Sequence, residues 1–448
     1  MTLALRRSTF LMVTLLALAA QPGCRQTLVC PEGRVACDGR CVALAVEPAH
    51  CGACGRACGT GENCTLGECR SAAVNHCGAE DRACGDGERC LEGRCVAALY
   101  AACFNTDEVQ PATPTLSLAG PPVSVPPGPV ALAQLGGELY VASARPGGAE
   151  KVSRIARDPP QVRAVALSWT STATPDLQFL GAHEGYLYVS RASLGTLLVL
   201  RADGDVVEEH AFVGVGDLNP NPLGLAFSGD RAYVALNARG EVAVLDVSSV
   251  GSCASRPCIQ EVARVDVQPL ASAGARAMPA RIAIAGGRAY VTLWNFDDFW
   301  SPPAGSTGRL AAIDLDTNAL DTSAGPGGLV DLGAGCLDPA DVALQGTTLW
   351  VSCGAFDYSA YPDVRVHGQG IVPIDVSGDA PAVGALLPVP EGAAPGTLAF
   401  CSGGGYVADR NSGRVFRLDP DAGAIEGAEL CPPASSGFAY VADLACGY

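Results

Sequence analysis

Residues 281–291 read Arg281-Ile282-Ala283-Ile284-Ala285-Gly286-Gly287-Arg288-Ala289-Tyr290-Val291. An alternating apolar run stops at a Gly-Gly pair and restarts as a second run that closes on an aromatic-Val pair. Successive side chains of a strand point to opposite faces, and glycine turns the chain without a Cβ clash. The pattern is therefore two antiparallel strands joined by a tight turn. The same ending recurs as Leu139-Tyr140-Val141, Leu187-Tyr188-Val189, Ala232-Tyr233-Val234, Leu349-Trp350-Val351 and Gly405-Tyr406-Val407. From Tyr140 to Tyr406 the aromatic residues follow one another at 48, 45, 57, 60 and 56 positions. Such intervals accommodate four short strands per unit.

One unit shows the plan clearly. Gly224-Leu225-Ala226-Phe227 reads as an inner strand, Ser228-Gly229-Asp230 as a turn and Arg231 to Leu236 as a second strand. Glu241 to Asp246 alternates as a third strand, and Glu261 to Val267 follows as a fourth. The third-strand ending returns as Ala312-Ile313-Asp314, Pro373-Ile374-Asp375 and Arg417-Leu418-Asp419, each leading into turn residues. Helical periodicity is absent. The expected fold is all-β, a seven-bladed β-propeller with six blades possible, spanning residues 104–448. A seventh blade would be split, with Phe438 to Cys446 as its inner part and residues near 103–118 as its outer part. These repeats resemble the YVTN-type propeller repeats of surface-layer and secreted bacterial proteins, over about residues 125–445. The resemblance implies a fold and leaves the activity open.

Ahead of the repeats lies a small Cys-rich module, residues 24–103, preceded by a signal peptide, residues 1–23. Arg6 and Arg7 supply a positive start, and Phe10 to Ala20 is apolar but too short to span a bilayer. Gly23-Cys24 resembles the end of a bacterial lipobox, which makes Cys24 the candidate lipidation site; Ala17-x-Ala19 would suit ordinary cleavage instead. Of 21 cysteines, one lipidated Cys24 leaves an even number to pair. Residues 51–69 and 77–95 are a duplication, Cys51-x6-Cys58-x5-Cys64-x4-Cys69 against Cys77-x6-Cys84-x5-Cys90-x4-Cys95. Their preceding His50 and His76 read as surface residues. Units this small cannot hold themselves by apolar burial, so bridges worth about 2–4 kcal/mol each must do so. Cys54 is expected to pair among Cys30, Cys37 and Cys41, and Cys51-x2-Cys54 to form disulfides rather than hold zinc. Cys253 with Cys258 and Cys336 with Cys353 are the next expected bridges. Cys103 is expected to cross to Cys446, leaving Cys401 for Cys431. The arrangement as a whole resembles exported proteins of some gliding, predatory Gram-negative bacteria.

The net charge of −17 is borne by residues 104–448, because acidic and basic groups cancel in residues 1–103. An acidic surface repels phosphate backbones, which argues against nucleic acid and leaves a lipid anchor as the expected membrane attachment. Two second strands are followed by long aromatic and acidic connections: Trp294, Asp297, Asp298 and Trp300 in one, Phe356, Asp357, Tyr358 and Tyr361 in the other. Both connections must leave on one face, side by side. Aromatic rings beside carboxylates suit a carbohydrate or protein partner, and these eight residues are the candidate ligand-binding set; packing of the rings onto their own loops is the simpler reading. Asp314-x-Asp316-x-Asn318 begins like a calcium loop, but Ala319 and Gly325 stand where Gly and Glu are required, so it reads as a turn. No nucleophile elbow, phosphate loop or dinucleotide fingerprint occurs. The expectation is a cell-envelope binding or scaffold lipoprotein with no catalytic, cofactor or metal residues. The alternative is a lactonase-like hydrolase or a quinone-linked dehydrogenase-like enzyme using the central pocket.

Overall fold

A computed structural model describes residues 99–446, apart from 146–148, 159–160, 172–175, 214–218, 254, 358–364, 402–403, 421–422 and 434–439, together with shorter pieces of residues 30–97. The chain forms two units, Met1–His76 and Cys77–Tyr448. No helix among the described residues is long and apolar enough to cross a membrane.

In the first unit, Val35–Cys37 pairs with Arg40–Val42 and Glu62–Thr65 with Glu68–Ser71. Cys54 bonds to Cys37 and Cys58 to Cys69. The sulfurs of Cys51, Cys58 and Cys69 lie within 4.8 Å of one another. Each is disulfide-bonded, so none is a thiolate ligand. His50 is buried and its Nδ1 accepts the Gly55 N–H at 3.0 Å, which corrects its reading as a surface residue. The hairpin Glu62–Ser71 has its counterpart 26 residues on, where Glu88–Leu91 pairs with Arg94–Ala97.

The second unit is a seven-bladed propeller. Blades one to six run in chain order, with inner strands Pro129–Leu135, Leu177–His183, Pro222–Ser228, Pro279–Ala285, Pro339–Gln345 and Pro395–Cys401. Blade seven joins the chain ends: Val441–Cys446 is its inner strand, and Leu99–Cys103, Glu108–Ala112 and Val123–Ser124 complete it. Propeller structure thus begins at Leu99, ahead of the boundary at 104 that the sequence suggested.

The aromatic-Val pair has a simple physical reason. Neighbours in a strand face opposite ways, so each blade sends its aromatic ring toward the next blade and its Val toward the previous one. Tyr140 packs with Val189, Tyr188 with Val234, Tyr233 with Val291, Tyr290 with Val351, Trp350 with Val407 and Tyr406 with Ala101. Tyr100 packs with Val141 and closes the circle. The seventh copy is therefore Leu99-Tyr100-Ala101, with Ala in place of Val. Burying each ring contributes about 1.5–3 kcal/mol, and no blade can bury its ring without a neighbour.

Four bridges staple the propeller. Cys253–Cys258 closes a local loop and Cys336–Cys353 ties blade five to the connection before it. At the seam, the bonds are Cys103–Cys431 and Cys401–Cys446, which corrects the expected Cys103–Cys446 and Cys401–Cys431. The ladder explains the exchange. Val441 lies opposite Cys103, whereas Cys446 lies opposite Leu99 at the far end of the same strand pair. Four strand steps are about 13 Å, beyond the roughly 7 Å Cα separation a disulfide tolerates. Cys446 instead meets Cys401, which likewise ends an inner strand.

The Asp314 segment is a turn, as expected. The Asp314 side chain accepts the N–H groups of Asp316 and Thr317 and the Thr317 hydroxyl, which hold its carboxyl below the usual range.

Candidate functional site

Every inner strand slips register near its start: between Pro129 and Ala131, Leu177 and Phe179, Pro222 and Leu225, Pro279 and Ile282, Pro339 and Asp341, Pro395 and Leu398, and Val441 and Asp443. Five of these strands open with proline, which has no N–H to give to the ladder and suits a first position beside a bulge. A bulge re-aims the side chain that follows it. Repeated around the ring, the bulges encircle the axis and leave a cavity of about 250 Å³ there. Its walls come from Gln178, Leu223, Ala280, Ala340, Gly396 and Ala442 on blades two to seven. Small residues at four of these six positions leave the space open.

Arg281, Asp341, Thr397 and Asp443 occupy one level of this ring. Each precedes the aliphatic residue that faces the Val or Ala of the second strand: Ile282 to Val291, Val342 to Val351, Leu398 to Val407, Leu444 to Ala101. Arg281 extends from blade four past Gly224, where a Cβ would stand 2.4 Å from the Ala280 carbonyl oxygen and 3.2 Å from the Arg281 Cδ. Its guanidinium carbon ends 5.0 Å from the centre of the Phe179 ring on blade two. Asp341 accepts the Leu398 N–H at 2.8 Å, and Asp443 accepts the Leu132 N–H at 2.7 Å, so each ties its blade to the next. Burial pushes both carboxyls up, Asp443 to about 6, while the Arg281 charge pulls them back.

Arg410 enters the cavity from blade six. Asp409 fixes its turn by accepting the N–H groups of Ala394 and Asn411, each at 2.9 Å, and the Ser412 hydroxyl at 2.7 Å. Arg410 then pairs with the buried Asp338 at 2.8 Å and donates to the Gly354 carbonyl. Burial raises the Asp338 carboxyl against the pull of Arg410. Its Oδ1 has no hydrogen-bond partner among the described residues. Tyr440 completes the rim, edge-on to Phe104 at 5.8 Å.

The expected ligand set divides. Second strands end on the face where inner strands begin, so the aromatic connections do leave on the cavity side. Trp294 lines the cavity, and its buried Nε1–H has no partner among the described residues. Asp297 is committed to its own turn, accepting the N–H groups of Phe299 at 2.8 Å and Ser301 at 3.1 Å. That turn presents Phe299 and Trp300 outward, 80% and 50% exposed. Arg276 lies 5.9 Å from the Trp300 ring centre and 3.6 Å from Asp298. Phe356 and Asp357 fall on an extended second strand, Thr348–Asp357, paired with Arg365–Asp375. Tyr358 and Tyr361 lie outside the described residues, as does Cys24. The charged residues that line the cavity, Arg281 and Arg410, and the buried carboxyls beside them, Asp338, Asp341 and Asp443, did not enter the expected set. For Arg281 and Asp341 a signal was present in Pro279-Ala280-Arg281 and Pro339-Ala340-Asp341, a charged residue two places after a strand-opening proline.

Residues 19–72 match the Stigma-specific STIG1-like protein family. No curated protein matches the chain by sequence. The fold is similar to that of a Lactobacillus plantarum protein, at 15% identity and a TM-score of 0.56 over 78% of this chain and 98% of that one. It is also similar to a putative 6-phosphogluconolactonase from Bacteroides uniformis, at 14% identity and a TM-score of 0.53 over 78% and 99%. A periplasmic gluconolactonase from Pseudomonas aeruginosa gives 18% identity and a TM-score of 0.52 over 75% and 97%. At these identities the likeness is one of fold.

Proposed function

We propose that this chain is a non-catalytic binding module of the cell envelope, exported and lipid-anchored through Cys24, whose propeller holds a glycan on the cavity face. Its disulfides fit an oxidising compartment outside the cytoplasm. The observation that carries the reading is the lining of the axial cavity. An indole whose N–H has no partner among the described residues, two arginines, an amide and a hydroxyl surround one small space. Sugars present hydroxyls that donate and accept at once and C–H faces that stack on indoles, so such a mixed lining suits them. The test is a glycan array probed with the mature chain, alongside a search for turnover. Glycan retention without product formation supports the reading; absence of any retained glycan refutes it.

One observation favours a second reading. Burial raises the Asp443 carboxyl to about 6 against the pull of Arg281, in the range a general acid or base uses near neutral pH. The proteins of similar fold include a putative 6-phosphogluconolactonase and a periplasmic gluconolactonase. Lactone hydrolysis by the mature chain that disappears in Asp443→Asn would favour an enzyme.

A further inference from the structure

We infer that the axial cavity receives the free end of a glycan, one neutral sugar ring deep, and that the loop from Trp294 to Trp300 carries the following units outward. The inference rests on the glycan-binding reading and specifies its ligand.

Size sets the depth. A cavity of about 250 Å³ lies below the roughly 300–1,000 Å³ that drug-sized ligands occupy, so it holds a single ring rather than a disaccharide. Arg281 spans from blade four to the Phe179 ring of blade two, so a chain entering from the mouth meets a side chain instead of an open bore. A chain can therefore be held by its end and not threaded.

Charge sets the class. Arg281 and Arg410 line the cavity, and buried carboxyls stand behind them: Asp338 pairs with Arg410, and Asp341 and Asp443 feel the Arg281 charge. Both arginines are thus already matched by carboxyls of the protein, so an acidic sugar would bring a negative charge with no cation reserved for it, where little water screens it. A neutral ring brings hydroxyls that fill the Trp294 Nε1–H and the other donors at no such cost.

The loop sets the exit. Trp294 stands in the cavity, and six residues later Trp300 stands half-exposed beside Phe299. Asp297 locks the turn between them through two backbone N–H groups, so the aromatic faces are held in place before any ligand arrives.

The test is calorimetric titration of the mature chain with free and methylated neutral hexoses, the matching uronic acids, and neutral oligosaccharides of two to six units. Neutral monosaccharides should bind, and uronic acids should bind at least tenfold more weakly. Trp294→Phe keeps a stacking face and removes the N–H; it should weaken monosaccharide and oligosaccharide alike by about threefold to tenfold. Trp300→Ala, an exposed site that leaves the core intact, should lower oligosaccharide affinity to that of the monosaccharide and leave the monosaccharide unchanged. Oligosaccharide binding with no monosaccharide binding, or uronic acids that bind as well as neutral sugars, overturns the inference while leaving glycan binding standing. Failure of every sugar removes both.

Discussion

Removing the seam bridge tests how the ring is held shut. Cys103 and Cys431 are 328 residues apart, Cys401 and Cys446 are 45 apart, and Cys253 and Cys258 only 5. In the chain-entropy account a bridge acts by restricting the unfolded chain, and the effect grows with the logarithm of the loop. That relation gives about 6, 4 and 2 kcal/mol for the three bridges. Real bridges deliver less, so Cys103→Ala/Cys431→Ala should lose about 3–5 kcal/mol and Cys253→Ala/Cys258→Ala about 1–2. Both partners are replaced so that no free thiol remains. Cys103 and Cys431 are buried, so a modest packing loss adds to the first figure. The assay is equilibrium urea unfolding of wild type and the paired variants under non-reducing conditions, with the midpoint shift multiplied by a common m-value. If the seam variant costs no more than the local one, the ladder between Val441–Cys446 and Leu99–Cys103, with Cys401–Cys446, closes the ring without this bridge, and the reasoning fails.

Asp443 gives a pH prediction. Its carboxyl ordinarily titrates at 3.8 and is raised to about 6 in the fold. The folded state then holds a proton that the unfolded state has released, so this group's contribution is full below about pH 4 and lost as pH rises through about 6, at most about 3 kcal/mol. Asp443→Asn should flatten that slope in unfolding measured between pH 4 and 7; an unchanged slope rejects the assignment. Asp321 acts in the opposite sense, lowered to about 2 by the Ser323 hydroxyl and Arg288, and contributes stability that is lost as pH falls from 4 toward 2. Tyr100→Ala should cost about 3–5 kcal/mol, matching Tyr290→Ala, because both rings fill equivalent inter-blade layers. Thermal unfolding that leaves Tyr100→Ala near wild type would remove Leu99-Tyr100-Ala101 from the ring. Mass spectrometry of the mature N-terminus should find diacylated Cys24, and an unmodified terminus near residue 20 would contradict it.

How much of this was legible depends on range. The aromatic-Val pairs, the Gly turns after the inner strands and the Asp turns after the third strands are set within a few residues, so the sequence alone determined strands, blade period and all-β class. The duplicated Cys module was equally readable, since hairpins 26 residues apart follow from repeated spacing. The seventh aromatic, Tyr100, was hidden because Ala101 replaces Val and the segment directly follows the Cys-rich repeat. Parity showed that Cys103 must cross to the C-terminal region but not to which partner. Strand register decided that, by placing Cys446 at the opposite end of the ladder. The cavity lay furthest from sight. Arg281, Asp341 and Asp443 stand on three separate blades; a shared Pro-Ala start marks the first two, but no local pattern says that the three meet. Only closure of the ring brings their charges into one low-dielectric space, where burial and mutual fields give them properties that none has in its own segment.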